Sequence, residues 1–171
     1  SRIKMKRIDI IFDIETDGLD PIKNRVTAIG VKTEKSEFIL IDKDESKILE
    51  RFWRFLSKFE YFRLIGFNNY AFDNYFINIR SFKHNVKVID VKSKILDLRY
   101  ILSFGNKFKN GNLGDYAELL NETKYSGLSG ELMVDAWTHE KINIIIKYLR
   151  QDLRLTAKIY ERCMEIGLIE K

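Results

Sequence analysis

Asp13 and Glu15 stand two residues apart in Phe12-Asp13-Ile14-Glu15-Thr16. On a strand, that spacing points both carboxylates to one face, about 6.6 Å apart along the chain. Ile11 shares the face, so two acids end an apolar row. A buried unpaired carboxylate is costly and two neighbours repel. A hard divalent cation, which prefers oxygen ligands, relieves both problems. Alone, the pair equally describes a solvated strand end running into the turn Asp17-Gly18-Leu19-Asp20-Pro21.

Two more segments carry acids in telling places. In Gly66-Phe67-Asn68-Asn69-Tyr70-Ala71-Phe72-Asp73 a strand ends and a helix begins, with Asp73 in its first turn. Asn68 or Asn69 could cap that helix and Asp73 favour its dipole. The strand end also lies where open α/β sheets place their sites. In Tyr148-Leu149-Arg150-Gln151-Asp152 the tyrosine and aspartate are four apart and share one helix face. Ile145, Leu149, Leu155, Thr156 and Ile159 lie on that face too. An aspartate inside such a stripe needs a partner, which Arg150 or Arg154 could also supply.

The elements that must position these groups follow from periodicity. Ile8 to Thr16 reads as a central strand, with further strands at Val26 to Thr33 and Glu37 to Ile41. Asp44 to Phe59 reads as a helix, Phe62 to Phe67 as a fourth strand, and Asn69 to Arg80 as a helix. Val86 to Val91 reads as a fifth strand, followed by a short helix around Ile95 to Leu102. Ser103 to Gly130 is the least regular stretch, with one helix at Leu113 to Leu120. A long helix runs from about Thr138 to Glu165. The order gives a mixed α/β layer fold.

Composition sets the outer limits. The chain has 171 residues, 45% hydrophobic and 32% charged, which suits one globular domain and excludes a disordered one. Cys163 is the single cysteine, so neither an internal disulfide nor a multi-cysteine zinc site is available. His84 and His139 are too far apart in the chain for a zincin helix. The apolar run after the basic first residues is cut off at Asp13, too early for a signal peptide, and no run approaches a membrane span. A cytoplasmic location is expected. The net charge of +5 and pI near 9.2 are compatible with a polyanionic partner. Phe104-Gly105-Asn106-Lys107-Phe108-Lys109-Asn110-Gly111 interleaves aromatics and lysines, as single-strand binding uses and as a solvated loop also shows.

In order, spacing and local structure, the three acidic segments resemble the exonuclease motifs of the DEDD superfamily, DnaQ-like and RNase H-like. Asp13-Ile14-Glu15-Thr16 is similar to motif I, Asn69-x-x-Phe72-Asp73 to motif II, and Tyr148-x-x-x-Asp152 to motif III in its tyrosine form, DEDDy. The histidine form fits poorly, since the nearest candidate is His139. The chain most resembles the proofreading domain of family B DNA polymerases, from about Ile8 to Ile159.

The resemblance implies an RNase H-like mixed five-stranded sheet, its first three strands antiparallel and the next two parallel, flanked by helices. It implies a single 3′–5′ exonuclease domain over residues 1–171. Asp13, Glu15, Asp73 and Asp152 would hold two Mg²⁺ or Mn²⁺ ions, with Asp13 bridging, in a two-metal hydrolysis. Tyr148, with an ordinary phenol pKa near 10, would orient the attacking water. Thr16, Leu19 and Asn69 would contact the strand. The implied substrate is the 3′ end of single-stranded or frayed DNA, with RNA in the manner of RNase D as the alternative. Replication or repair proteins are the implied partners. A non-catalytic nucleic-acid-binding module on the same fold is the alternative from another class.

Overall fold

The computed structural model describes residues 5–106, 108, 111–124 and 129–171. Three strands come first: β1 (Ile8–Thr16), β2 (Val26–Lys32) and β3 (Glu37–Ile41). Helix α1 (Glu45–Leu56), strand β4 (Phe62–Gly66), helix α2 (Asp73–Lys83) and strand β5 (Ile95–Asp97) follow. Four helices complete the chain: α3 (Leu98–Ser103), α4 (Leu113–Leu119), α5 (Gly130–Thr138) and α6 (Ile142–Glu165). The sheet order is β3-β2-β1-β4-β5. β1 pairs antiparallel with β2, and β2 antiparallel with β3; β1 with β4 and β4 with β5 are parallel. This is the expected RNase H-like five-stranded mixed sheet.

β1 is central and buried on both faces, which explains its nearly continuous apolar sequence. Ile10, Phe12 and Ile14 point into one core with Ile48, Phe52, Phe76 and Ile77 of α1 and α2. Ile11 points the other way, into a core with Leu153, Ile159 and Tyr160 of α6. Strand alternation then delivers Asp13 and Glu15 to the α6 side. Gly30 lies opposite Asp13 on β2. A Cβ on it would come within 3.0 Å of Leu153 and 3.2 Å of Ile39, so the glycine lets α6 approach the sheet beside Asp152.

Several expected elements are displaced. The stretch Val86–Val91 packs Val86, Ile89 and Val91 against the first core without pairing as a strand. An Asx turn, with Lys92 N–H donating to Asp90 Oδ1 at 3.0 Å, redirects the chain. The Lys94 carbonyl then accepts from Leu64 N–H at 2.8 Å and starts the true edge strand, β5. Helix α2 begins at Asp73 rather than Asn69, with no side-chain cap. On α2, Tyr75 is exposed while Arg80 is buried. The long C-terminal helix starts at Ile142 rather than Thr138, and a helix not expected from the sequence, α5, precedes it, with His139 at its C-cap and Glu140 in the left-handed region. Cys163 is free and buried. Among the described residues no helix is long and apolar enough to cross a membrane.

Candidate active site

The carboxyl ends of β1 and β4 open into a groove of about 860 Å³. Asp13, Glu15, Asp73 and Asp152 all line it. Ligand oxygens of Asp13, Glu15 and Asp152 lie within 4.8 Å of one another. Asp73 joins from the start of α2, hydrogen-bonded to Asp13 and accepting from the Ile14 backbone N–H. The β1–β4 ladder stops at Ile11–Ile65, so the two strands have parted where α2 enters. On the other edge, the β1–β2 register shifts between Glu15 and Thr16, which face Ala28 and Val26. Thr27 is left over in a bulge beside the acids, a common way to re-aim side chains.

Burial acts on all four acids, and repulsion within the cluster acts on Asp13 and Glu15. Burial, then the charges of Asp152, Asp73 and Glu15, hold the Asp13 carboxyl well above the usual range. Burial and Asp152 do the same for Glu15, against the opposing pull of Lys124. Burial pushes Asp73 up to about 7. Burial also raises Asp152, with Lys124 opposing. Three buried carboxyls and the half-buried Asp13, converging on one groove, are a donor set for hard cations. Asp152 Oδ1 is itself buried and accepts no hydrogen bond among the described residues, with the Lys124 ammonium 3.2 Å away. The residues therefore fit a divalent-ion centre.

Lys124, which nothing in its sequence neighbourhood singles out, is the cation paired with Asp152. Its Nζ donates to Tyr148 Oη at 2.9 Å as well as pairing with Asp152. Burial works against its charge, but Asp152 and Tyr148 outweigh it and the ammonium pKa is pushed up to about 12. Tyr148 packs its ring among Ala28, Met133, Ala136, Ile145 and Leu149. Burial, then Asp152, pushes its phenol up to about 12, although Lys124 pulls the other way. The hydroxyl therefore stays protonated at neutral pH. Arg150 and Arg154 are not the partners of Asp152: Arg150 is exposed, and Arg154 binds Glu122 at 2.9 Å.

The three expected strand contacts are placed differently from one another. Leu19 lines the groove and is 84% exposed. Thr16 lines it too, but its hydroxyl donates to the Gly18 carbonyl at 2.6 Å. Asn69 is fully buried, its Nδ2 donating to Asn74 Oδ1 at 2.9 Å, and the structure does not bring it to the groove. Asn68 lines the groove instead, with φ of 62°. The Phe104–Gly111 segment lies partly outside the described residues; Phe104 and Phe108 are almost wholly exposed.

Asp97 shapes the loop that carries Asn68 to Asp73. Its buried carboxylate accepts four backbone N–H groups: Asn68 at 2.9 Å, Tyr70 at 3.1 Å, Arg99 at 3.0 Å and Tyr100 at 3.3 Å. It caps α3 and fixes the entry to α2 at once. An aspartate just before an apolar helical run is a readable capping signal, which would have moved the start of α3 past Ile95.

Comparison with known proteins agrees with this architecture. Residues 10–164 match the model of an RNase H superfamily family. The uncharacterized protein MJ0365 of Methanocaldococcus jannaschii is 33% identical over 173 residues, covering 94% of this chain and 98% of that protein. The structure of the family B DNA polymerase from the hyperthermophilic archaeon Pyrobaculum calidifontis superposes with a TM-score of 0.82 at 20% identity. That match covers 98% of this chain and 26% of the polymerase chain, and it speaks for the fold. The chain belongs to the RNase H superfamily.

Proposed function

We propose that this protein is a metal-dependent 3′–5′ exonuclease of the DEDDy type, acting on single-stranded or frayed DNA ends. The observation that carries the reading is the meeting of Asp13, Glu15, Asp73 and Asp152 in one groove, with Tyr148 one helical turn from Asp152. Chance placement of three distant chain segments does not favour four acids drawn together out of water. A catalytic metal centre does.

The four carboxylates are the oxygen donors for two divalent ions, Mg²⁺ or Mn²⁺. Such ions, when bound, activate a water at neutral pH and stabilise the departing oxygen. In the net reaction a water oxygen bonds to the terminal phosphorus. The bond to the 3′ oxygen of the penultimate nucleotide breaks, and that oxygen takes up a proton. The products are a nucleoside 5′-monophosphate and a strand shortened by one. Tyr148, protonated at neutral pH, orients the water by hydrogen bonding rather than acting as a strong base. Lys124 sets the position of its hydroxyl. Leu19 offers an apolar edge to the terminal base, and Asn68 replaces Asn69 as the polar group of the second motif that faces the strand.

The test is a gel of 3′- and 5′-labelled strands, DNA and RNA in parallel, with Mg²⁺ or Mn²⁺ and with chelator. Stepwise shortening from the 3′ end, dependent on metal and lost in Asp13→Ala, is expected. Full cleavage in chelator, or by the alanine variant, would overturn the reading. Faster trimming of RNA would move the substrate to the RNase D-like class.

A further inference from the structure

Two charged groups are buried away from the acidic cluster and take no part in the chemistry above. Arg80 is 3% exposed and Glu45 5%. Arg80 lies about two turns along α2 from Asp73, and Glu45 opens α1. Arg80 Nε donates to both Glu45 oxygens at 3.0 Å, and Nη2 donates to Oε1 at 2.7 Å. In a third direction, Nη1 donates to the Pro21 carbonyl at 3.2 Å. Glu45 Oε2 accepts from Val26 N–H at 2.5 Å, and His84 Nε2 lies 2.6 Å from Oε1.

The cluster thus grips Pro21 and Val26, the two ends of the return limb of the β1–β2 loop. The outward limb, Asp17, Gly18 and Leu19, lines the groove. The limbs are tied to each other. Asp17 Oδ1 accepts from Arg25 N–H at 2.7 Å, and Asn24 Oδ1 from Asp20 N–H at 3.1 Å. At Gly18 a Cβ would fall 2.3 Å from Asn24 Cγ, so the limbs touch. Movement at Pro21 is therefore transmitted to Leu19.

For stability alone, a buried ion pair is no better than a well-packed apolar pair. What an apolar pair cannot do is aim a third donor at a loop carbonyl, and the planar guanidinium fork can. We propose that Arg80, braced by Glu45, is a positioning residue for substrate. Through the Pro21 carbonyl it fixes the β1–β2 loop, so that Leu19 stands where the terminal nucleotide of a strand lies. The inference rests on the nuclease reading above and adds what holds the strand-facing edge of that site.

The discriminating variant is Arg80→Lys, which keeps a charge for Glu45 but cannot also reach Pro21. Four readouts are taken on the full chain: melting temperature, amide exchange over residues 17–24, kcat and KM. The fifth is affinity for a fluorescent single strand with a 3′-terminal phosphorothioate linkage. Exchange in the loop should quicken about tenfold, and strand affinity should fall about tenfold, equal to roughly 1.4 kcal/mol. KM should rise in parallel while kcat stays within about twofold. Leu19→Ala should weaken binding similarly without changing exchange, and the double variant should be no weaker than either single one. If Arg80→Lys folds poorly, Glu45→Gln, which keeps the shape of the acceptor, should move exchange and KM in the same direction. Unchanged loop exchange, or faster exchange with unchanged affinity and KM, overturns the proposal. If the unaltered protein cuts and binds strands while Arg80→Lys binds equally well, this proposal alone falls. If the unaltered protein neither binds nor cuts, the nuclease reading falls and takes this one with it.

Discussion

The ammonium of Lys124 lies 3.2 Å from Asp152 Oδ1, and the same nitrogen donates to Tyr148 Oη at 2.9 Å. One cation thereby joins the last acid of the cluster to the phenol one turn before it. Lys124→Met should remove that link and the positive charge paired with Asp152. Without metal, the variant should lose roughly 1–3 kcal/mol near pH 8, the range for leaving a buried group unpaired. The loss should be smaller near pH 5, because burial raises the Asp152 carboxyl and a protonated acid needs no cation. Melting curves in chelator at both pH values check this; an equal loss at both would remove the electrostatic account.

Tyr148→Phe should slow the chemical step by about 10–10³-fold, as for loss of a positioned catalytic hydrogen bond. The ring still fills its place beside Ala28 and Leu149, and no carboxylate is lost. Metal and strand binding should therefore change little. Single-turnover rates at saturating metal, with a melting curve alongside, separate this from a packing role. A wild-type rate would take Tyr148 out of the site.

The acidic cluster should make the metal-free protein less stable as pH rises. Burial raises the Asp73 pKa from 3.8 to about 7, so the folded state binds this proton more tightly than the unfolded chain does. Stability from that proton is complete below about pH 4 and is lost as pH climbs through about 7. Asp13, Glu15 and Asp152 are raised too and act with the same sign. Glu45 acts oppositely: burial would raise it, but Arg80, His84 and the Val26 N–H hold it lower. Melting temperature in chelator should fall between pH 5 and 8, with Asp73→Asn and Asp13→Ala each flattening the slope. Added Mg²⁺ or Mn²⁺ should reverse the fall. A flat profile in chelator would show that the acids are not strained.

Asp97→Ala should act at a distance from the metal ligands. It strips an acceptor from four backbone N–H groups, two of them at the approach to Asp73. Losing a helix cap alone costs about 1 kcal/mol, and the loop contacts should bring the loss to roughly 2–3 kcal/mol. Activity at saturating metal should fall with Asp73 misplaced, while Asp97→Asn, which keeps one accepting oxygen, should recover part of both. Thermal melts and rates on the two variants test the pairing of effects.

The sequence by itself determined most of the sheet and all four acids. β1 announces itself because a strand buried on both faces must be apolar throughout, and Asp13 and Glu15 stand out as the breaks in that pattern. Asp152 and Tyr148 stand out because a helical stripe has a period that polar residues interrupt. These signals are local, written in neighbours along the chain. Val86–Val91 is as rich in β-branched residues as a strand, but which segment pairs with β4 is decided by where the Asp90 turn returns the chain. α5 ends and α6 begins on either side of the left-handed Glu140, which side-chain periodicity does not mark. The resemblance to motif II points Asn69 at a bound strand; the α2 entry turns it inward against Asn74 and leaves Asn68 on the groove. Lys124, Arg80 and Glu45 were silent for a deeper reason. Each is an ordinary charged residue until folding removes water around it, and a charge becomes informative through the partner that compensates its burial. Those partners are 28 residues away for Lys124 and Asp152 and 35 for Arg80 and Glu45, so the tertiary structure alone brings them together.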